Sequence, residues 1–263
     1  MAIGINYTIK MKICRLCLKE KKLINAHIIP KFMYKGMKEA EKVFYQTVYN
    51  LDTKDQKTKK IQTGPFDKEI LCDDCDNKIL GGIYESYAEK SMYGQNLNPK
   101  IAPDCNHNKD PKYGIEYTIC NNIDYQKLKV FLLSILWRAS ITKHLAFKEV
   151  ELGEKHEERI RQIILNGETP NELEYPIMIL SYFRSNNKLE NLIAQPKRVQ
   201  SQDKLNAYVF LMNGLQFIFY VNSIDHKIPK YISETTLKAK GEMSVIHLPN
   251  GSAEQFMKMI MKI

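Results

Sequence analysis

Two stretches decide the fold: Cys14-Arg15-Leu16-Cys17 and Cys72-Asp73-Asp74-Cys75, which enclose Ala26-His27-Ile28-Ile29-Pro30 between them. Each Cys-x-x-Cys pair offers two thiolates, and two such pairs complete the tetrahedral four-sulfur coordination of a structural zinc site. Fifty-four residues separate Cys17 from Cys72, whereas compact zinc ribbons have roughly 15–20 residues between their pairs. The sequence therefore predicts a zinc site that is closed by the tertiary fold, with a large insertion between its two halves.

An alternative interpretation of these cysteines is two unrelated pairs of buried or reactive thiols, or a redox-active Cys-x-x-Cys. The equal spacing of the pairs, their polar, turn-forming neighbours and the lack of a βαβ pattern around either pair favour zinc. The predicted ligands of a structural zinc ion are Cys14, Cys17, Cys72 and Cys75. Cys105 and Cys120 have no such spacing, and we predict that they are ordinary thiols.

The composition is that of a globular protein with a basic excess. Of 263 residues, 44% are apolar and 26% are charged, and no apolar run approaches the ~20 residues needed to span a bilayer. The N-terminus lacks the charged and apolar regions of a secretory signal. We therefore predict a cytoplasmic protein with no membrane partner, in which cysteines bind metal rather than form disulfides. The net charge is +9, with most of the excess in the first 100 residues, which favours nucleic acid as a partner.

Patterns along the chain predict three regions and an α+β fold. A zinc-binding module is predicted over residues 1–95, an irregular linker rich in Asn, Pro, Asp and Lys over 96–114, and a helical and β-hairpin domain over 115–263. In the last region, the apolar spacing after Asp124 predicts a long helix. Asn213-Gly214 between two apolar runs predicts a hairpin. The predicted architecture is a metal-binding module followed by a helical region and a small antiparallel sheet.

Shorter elements follow from the same patterns. A second helix is predicted over residues 154–166, ended by Gly167, and a terminal amphipathic helix over 252–263. Residues 175–183 are typical of a strand. The basic run over residues 54–60 predicts an exposed loop or hairpin tip, either free in solvent or in contact with phosphate.

The region of the two cysteine pairs resembles the HNH, or ββα-metal, nuclease family. Asn25-Ala26-His27-Ile28-Ile29-Pro30 is similar to the family's Asp-His-Ile-x-Pro stretch, and Ile70-Leu71-Cys72-Asp73-Asp74-Cys75-Asp76-Asn77-Lys78 is similar to its Leu-Cys-x-x-Cys-His-x-x-Lys stretch. In zinc-containing members, an upstream Cys-x-x-Cys completes a four-cysteine site, as Cys14 and Cys17 would here. The resemblance covers about residues 12–82 and implies a zinc-stapled, ββα-metal-like module.

The resemblance also implies a reaction. Members of the family hydrolyse DNA phosphodiester bonds with a neutral histidine that activates water, and with Mg²⁺ or Mn²⁺ that stabilises charge on the phosphate. By analogy, His27 is the general base, Asp76 or neighbouring Asn77 binds the catalytic cation, and Asp67 takes the position of a residue that braces the loop around the base. Bacterial proteins of this kind are often antiphage-defence nucleases with a second domain. The resemblance implies that residues 115–263 are such a domain, for sensing, assembly or substrate binding.

The chain departs from the family pattern beside the proposed base. Ala26 stands where the family has an acidic metal ligand, and Asp76 replaces the final histidine. An alternative is therefore a catalytically inactive, zinc-stapled subunit of a larger complex that binds nucleic acid or protein, with His27 as a structural histidine. A third interpretation is a structural subunit that docks through a sheet edge formed by the Asn213-Gly214 hairpin and its flanking strands.

Overall fold

The computed structural model describes residues 11–34, 44–49, 56–93, 99–222 and 226–261. Within these ranges, five α-helices accompany one seven-stranded sheet and three two-stranded antiparallel sheets. The predicted α+β class is therefore confirmed. No helix in the described ranges is long and apolar enough to cross a membrane.

Three pairs of short antiparallel strands form the cysteine-rich part of the chain. The pairs are β1 (Lys12–Ile13) with β2 (Glu20–Lys21), β3 (Ala26–His27) with β6 (Phe66–Asp67), and β4 (Phe44–Tyr49) with β5 (Gln56–Ile61). The basic run predicted as an exposed loop or hairpin tip over residues 54–60 is exposed from Lys57 to Lys60, but it is strand from Gln56 onward, because it pairs with β4. Residues 54 and 55 lie outside the described ranges.

A helix of mixed hydrogen bonding follows the second cysteine pair. It consists of a π-helical segment over Asp74–Glu85, one α-helical turn, α1 (Ser86–Ala88), and a second π-helical segment over Glu89–Tyr93. At the first junction the Ser86 N–H donates to the carbonyl of Gly81, the i→i+5 bond that defines a π-helix. We call this continuous element, residues 74–93, the module helix.

Both long helices predicted from the sequence are confirmed. α2 (Tyr125–Ile141) begins at Asp124, whose carboxylate accepts a hydrogen bond of 3.0 Å from the Lys127 N–H. α3 (Glu154–Asn166) ends at Gly167, whose φ of 62° provides the left-handed C-terminal cap. Local signals fix both helices, since each carries its own cap.

The seven-stranded sheet is built by strands between residues 104 and 247, in the order β10-β11-β12-β9-β13-β8-β7. Its strands are β7 (Asp104–Lys109), β8 (Glu116–Asn121), β9 (Ile177–Ser181), β10 (Lys197–Gln200), β11 (Asn206–Met212), β12 (Leu215–Tyr220) and β13 (Met243–His247). The prediction of a small antiparallel sheet is wrong in size and in one pairing, because β13 lies parallel to β9. The strand predicted over 175–183 is confirmed as β9.

Two helices accompany the last strands. α4 (Lys230–Thr235) precedes β13, and α5 (Ser252–Met261) follows it. The terminal helix predicted over residues 252–263 is therefore confirmed as far as the structure describes it.

The Asn213-Gly214 hairpin is confirmed between β11 and β12. The two turn residues have φ values of 52° and 79°, the positive values that a tight two-residue hairpin requires. Both flanking strands are interior, however, since β10 and β9 cover their outer sides. The prediction that they form a docking edge is therefore wrong.

The segment 96–114, predicted as an irregular linker, contains the edge strand β7. Asn, Asp and Lys residues are not typical of a strand, so the sequence did not predict β7, which is stabilised by pairing with β8. This register sets Cys105 opposite Cys120, and the two form a disulfide. The prediction that they are ordinary thiols is wrong, because only the pairing of β7 with β8 brings them together.

One apolar core contains side chains from both halves of the chain. Leu80 and Tyr84 of the module helix belong to the same buried cluster as Leu132 and Trp137 of α2 and Phe217 of β12. The module helix therefore packs as part of this core. Whether 1–95 and 115–263 fold as separate domains stays a prediction.

Candidate metal centre and active site

The four predicted zinc ligands lie together. The sulfur atoms of Cys14, Cys17, Cys72 and Cys75 all lie within 4.8 Å of one another, and three of the four residues are buried. The set of donors fits zinc, which binds four thiolates tetrahedrally in structural sites.

Local backbone geometry presents each pair of sulfurs. The first pair lies on the turn between β1 and β2, where the Cys14 N–H donates to the Lys19 carbonyl at 3.0 Å and Leu18 adopts a φ of 57°. The second pair lies at the start of the module helix, and the N–H of Cys72 donates to the sulfur of Cys14 at 3.4 Å. An isolated bridge between Leu23 and Cys72 holds the two halves in register. The fold therefore closes the site, as the long insertion predicts.

The thiols strongly perturb one another. A hydrogen bond from Cys75 lowers the pKa of Cys14 to about 4. The same hydrogen bond, together with burial, raises the pKa of Cys75, and burial raises that of Cys72. Several thiolates can share so small a buried volume only if a cation neutralises them, which is the role a zinc ion would fill.

Helix α3 contacts the cysteine cluster from the second half of the chain. The guanidinium of Arg161 donates to the carbonyl of Leu16 at 2.7 Å, between the two cysteines of the first pair. Arg15 forms an ion pair of 3.7 Å with Glu157. The cluster is thus supported by residues that the sequence placed in a different region.

A cavity of about 400 Å³ lies beside the cysteine cluster. It is bordered by β3, the 3₁₀ turn Lys31–Tyr34, the module helix and α2. Its polar lining includes His27, Asp76, Asn77, Glu85, Glu89 and Arg138. Three residues that the resemblance assigns to catalysis, His27, Asp76 and Asn77, are therefore brought to one site.

His27 enters the cavity from β3. Its Nε2 lies 2.7 Å from the hydroxyl of Thr63, and the ring is half-buried. Burial, reinforced by the charges of Lys31 and Arg138, lowers the pKa of His27 to about 4. The imidazole is therefore neutral at neutral pH, the state in which it can accept a proton. Ala26 points away from His27 along the strand and is fully buried.

The π-helical hydrogen bonding of the module helix aligns the acidic side chains of the cavity. Asp76, Gly81, Glu85 and Glu89 all line it, at successive spacings of five, four and four residues. The i→i+5 bonding widens each turn, so residues at this spacing recur on one face. Burial raises the pKa of Asp76 to about 6. Asn77 is partly engaged elsewhere, since its amide donates to Asp73 at 2.8 Å.

Asp67 does not line the cavity. It lies on β6 opposite Ala26, where its carboxylate accepts hydrogen bonds from the Glu69 N–H at 2.8 Å and from the Thr142 hydroxyl at 2.7 Å. Asp67 therefore braces the strand pair against the end of α2.

The predicted site residues do not include four charged residues that line the cavity: Lys31, Glu85, Glu89 and Arg138. Arg138 lies in α2, outside the resemblance, and the one signal for it was a charged residue inside an apolar helical stripe. Glu85 carried no signal, because α-helical periodicity does not relate it to Asp76. Glu85 and Arg138 form an ion pair of 2.8 Å.

No protein-family model, curated protein or solved structure matches this chain. The functional conclusion therefore rests on the geometry of the cavity and on the residues that carry the resemblance.

Proposed function

We propose that the chain is an HNH-like, ββα-metal endonuclease that hydrolyses DNA phosphodiester bonds. The observation that carries this proposal is the convergence of His27 and Asp76 on one polar cavity beside a four-cysteine cluster. The order of elements is in keeping with it, since the antiparallel pair of β3 and β6 is followed by a helix that starts at the second cysteine pair.

In the proposed reaction His27 takes a proton from the attacking water. Its neutral imidazole supplies the acceptor, and Thr63 holds Nε2 by a hydrogen bond of 2.7 Å. The Thr63 contact fixes the ring and leaves Nδ1 as the nitrogen available to a water, so the proton would move to Nδ1. A positioned general base contributes about 10²–10⁴-fold to the rate, and the contribution of His27 should lie at the lower end because its pKa is well below neutral pH.

Asp76 and Asn77 would hold the catalytic Mg²⁺ or Mn²⁺. Their oxygen atoms are of the type that hard divalent cations prefer, and both residues line the cavity that His27 enters. A bound cation stabilises negative charge that develops on the phosphate. Binding it would keep Asp76 ionised against the burial that raises its pKa to about 6.

Basic residues favour DNA as the substrate. Lys31 lines the cavity, and Lys57, Lys59 and Lys60 lie exposed on β5. A charge of +9 over the chain supports electrostatic attraction to a phosphate backbone. The bacterial antiphage context and the protein partner or signal that the resemblance implies for residues 115–263 belong to the same proposal, as does the predicted cytoplasmic setting.

A plasmid cleavage assay tests the proposal. Purified protein is incubated with supercoiled plasmid and Mg²⁺ or Mn²⁺, alongside the variants His27→Ala and His107→Ala. His107 is a matched control, because it lies on the edge strand β7. We expect wild type and His107→Ala to nick the plasmid and His27→Ala to be slower by about 10²-fold or more. Equal cleavage by His27→Ala and wild type would overturn the assignment.

A second candidate function is a non-catalytic module that binds nucleic acid. Ala26 favours it, because a fully buried alanine occupies the position of an acidic metal ligand in the family. This function predicts plasmid binding without cleavage, equal in wild type and His27→Ala and weakening as salt rises.

A further inference from the structure

Arg138 is a buried charge at the wall of the cavity. It is 1% exposed, although it lies in the apolar stripe of α2. Burying a guanidinium is costly unless its hydrogen bonds are satisfied. The hydrogen bonds of Arg138 therefore indicate the role of this buried side chain.

Its guanidinium joins three elements around the cavity. Nη1 donates to the backbone carbonyl of His27 at 2.8 Å and pairs with the carboxylate of Glu85 at 2.8 Å. Nε donates to the carbonyl of Ser134 at 3.2 Å, and Nη2 donates to its hydroxyl at 3.3 Å. The Ser134 hydroxyl is itself held by the Phe131 carbonyl at 2.7 Å. The side chain is thus fixed by its own helix before it reaches the other two elements.

The strand that carries His27 is short, although its neighbours Ala26 and Ile28 are buried in the core. β3 is two residues long and, within the described ranges, pairs with the two residues of β6. Beyond this pair, the Ile28 N–H donates to the Pro65 carbonyl at 3.1 Å. Through its bond to the His27 carbonyl and its ion pair with Glu85, Arg138 directly links the His27 main chain to the module helix.

We propose that Arg138 is a positioning residue that fixes His27 against Glu85 and the module helix, so that helix α2 completes the active site. This inference rests on the proposed function, since it assigns Arg138 a part in the reaction of His27. It extends the site beyond the region of resemblance, into residues that the sequence assigned to sensing or assembly. A 1 Å misplacement of a reacting group can cost about 10²-fold in rate, so a small shift of β3 suffices.

The test compares Arg138→Ala with Arg159→Ala, each as the full chain with its zinc content measured. Arg159 is a matched control because it also forms ion pairs, with Glu168 and Glu174, but does not line the cavity. We expect Arg138→Ala to lower kcat for plasmid cleavage by about 10²-fold with little change in KM. Arg159→Ala should cleave as wild type does. Wild-type kcat in Arg138→Ala would overturn the proposal.

Chemical rescue separates positioning from general stability. Removing the side chain at position 138 leaves a space that opens on the cavity, into which ethylguanidinium can diffuse. We expect ethylguanidinium to restore a large part of the lost kcat, whereas ethylammonium, with the same charge but no fork of donors, should not. Equal rescue by both cations, or by neither, would contradict the positioning role. If Arg138→Ala does not fold, Arg138→Lys gives the same comparison, with a kcat loss expected despite its retained charge.

Amide exchange provides a readout that does not depend on cleavage. In Arg138→Ala the Ile28 amide should exchange about tenfold faster or more, as expected from the loss of one charge-assisted hydrogen bond beside it, and ethylguanidinium should slow it again. If the Ile28 amide exchanges faster in Arg138→Ala but the wild-type protein does not cleave plasmid, the contact between Arg138 and His27 is supported and the nuclease function is overturned. Unchanged exchange with active wild type would sink the role of Arg138 and leave the nuclease function standing.

Discussion

Replacing one cysteine ligand should destabilise the region around the cavity. The strands of this region are very short, since β1, β2, β3 and β6 have two residues each. Pairs of this length do little to stabilise themselves. A metal bound by the four cysteines would cross-link the β1–β2 turn to the module helix, and Cys72→Ser would remove one of its ligands, which is 1% exposed.

The size of the effect follows from typical zinc energies. Structural zinc contributes about 10–16 kcal/mol in small zinc-binding peptides, whereas a whole domain is stable by only about 5–15 kcal/mol. If Cys72→Ser forfeits only about 4 kcal/mol of the zinc contribution, the melting temperature should fall by about 8–16 °C, at about 2–4 °C for each kcal/mol in a chain of this size. Because the module helix shares the core of α2, the loss should also reach Trp137.

Two measurements on matched variants check this expectation. Metal analysis should find one zinc ion per chain in wild type and in Cys105→Ser, whose cysteine lies in the disulfide away from the cluster, but much less in Cys72→Ser. Fluorescence of Trp137, the single tryptophan, should shift towards that of an exposed indole at a lower temperature in Cys72→Ser. Full zinc retention in Cys72→Ser, or an unchanged melting temperature after zinc loss, would refute the reasoning.

Two further predictions concern charge. The double variant Lys57→Gln/Lys59→Gln should bind DNA more weakly, irrespective of its sequence, with a slope of log K against log salt smaller by about 1 for each lysine that contacts phosphate; an unchanged slope would exclude β5 from the interface. Burial lowers the pKa of Lys129 from 10.5 to about 7. Between these pH values the unfolded chain therefore binds more protons than the folded chain. The free energy of unfolding should rise by about 3 kcal/mol from pH 7 to about pH 9.5. Urea unfolding of wild type and Lys129→Met measures this, and the rise should be much smaller in the variant.

Elements with local signals could be predicted from the sequence. The cap at Asp124, the stop at Gly167 and the Asn213-Gly214 turn each fix a conformation through neighbouring residues. The cysteine cluster could also be predicted, because two Cys-x-x-Cys pairs indicate a shared metal site even when a long insertion separates them.

Elements that depend on distant partners could not be predicted in this way. β7 has a loop-like composition and is a strand only because β8 lies beside it, and its disulfide with Cys120 follows from that register. The parallel contact of β13 with β9 requires a crossover that no short window contains. In each case the deciding interaction joins residues far apart in sequence.

The module helix shows why the cavity contains residues that the sequence motif does not include. In an α-helix, residues advance by about 100° each, so Glu85, nine residues after Asp76, would face the opposite side. With i→i+5 bonding both residues line the same cavity, where Glu85 meets Arg138 from α2. The α-helical periodicity that predicts α2 and α3 therefore does not predict the contact between Glu85 and Arg138. The ion pair forms only if the π-helical bonding and the packing of α2 are both in place, so the assembly of the proposed active site depends on the core that the two halves of the chain share.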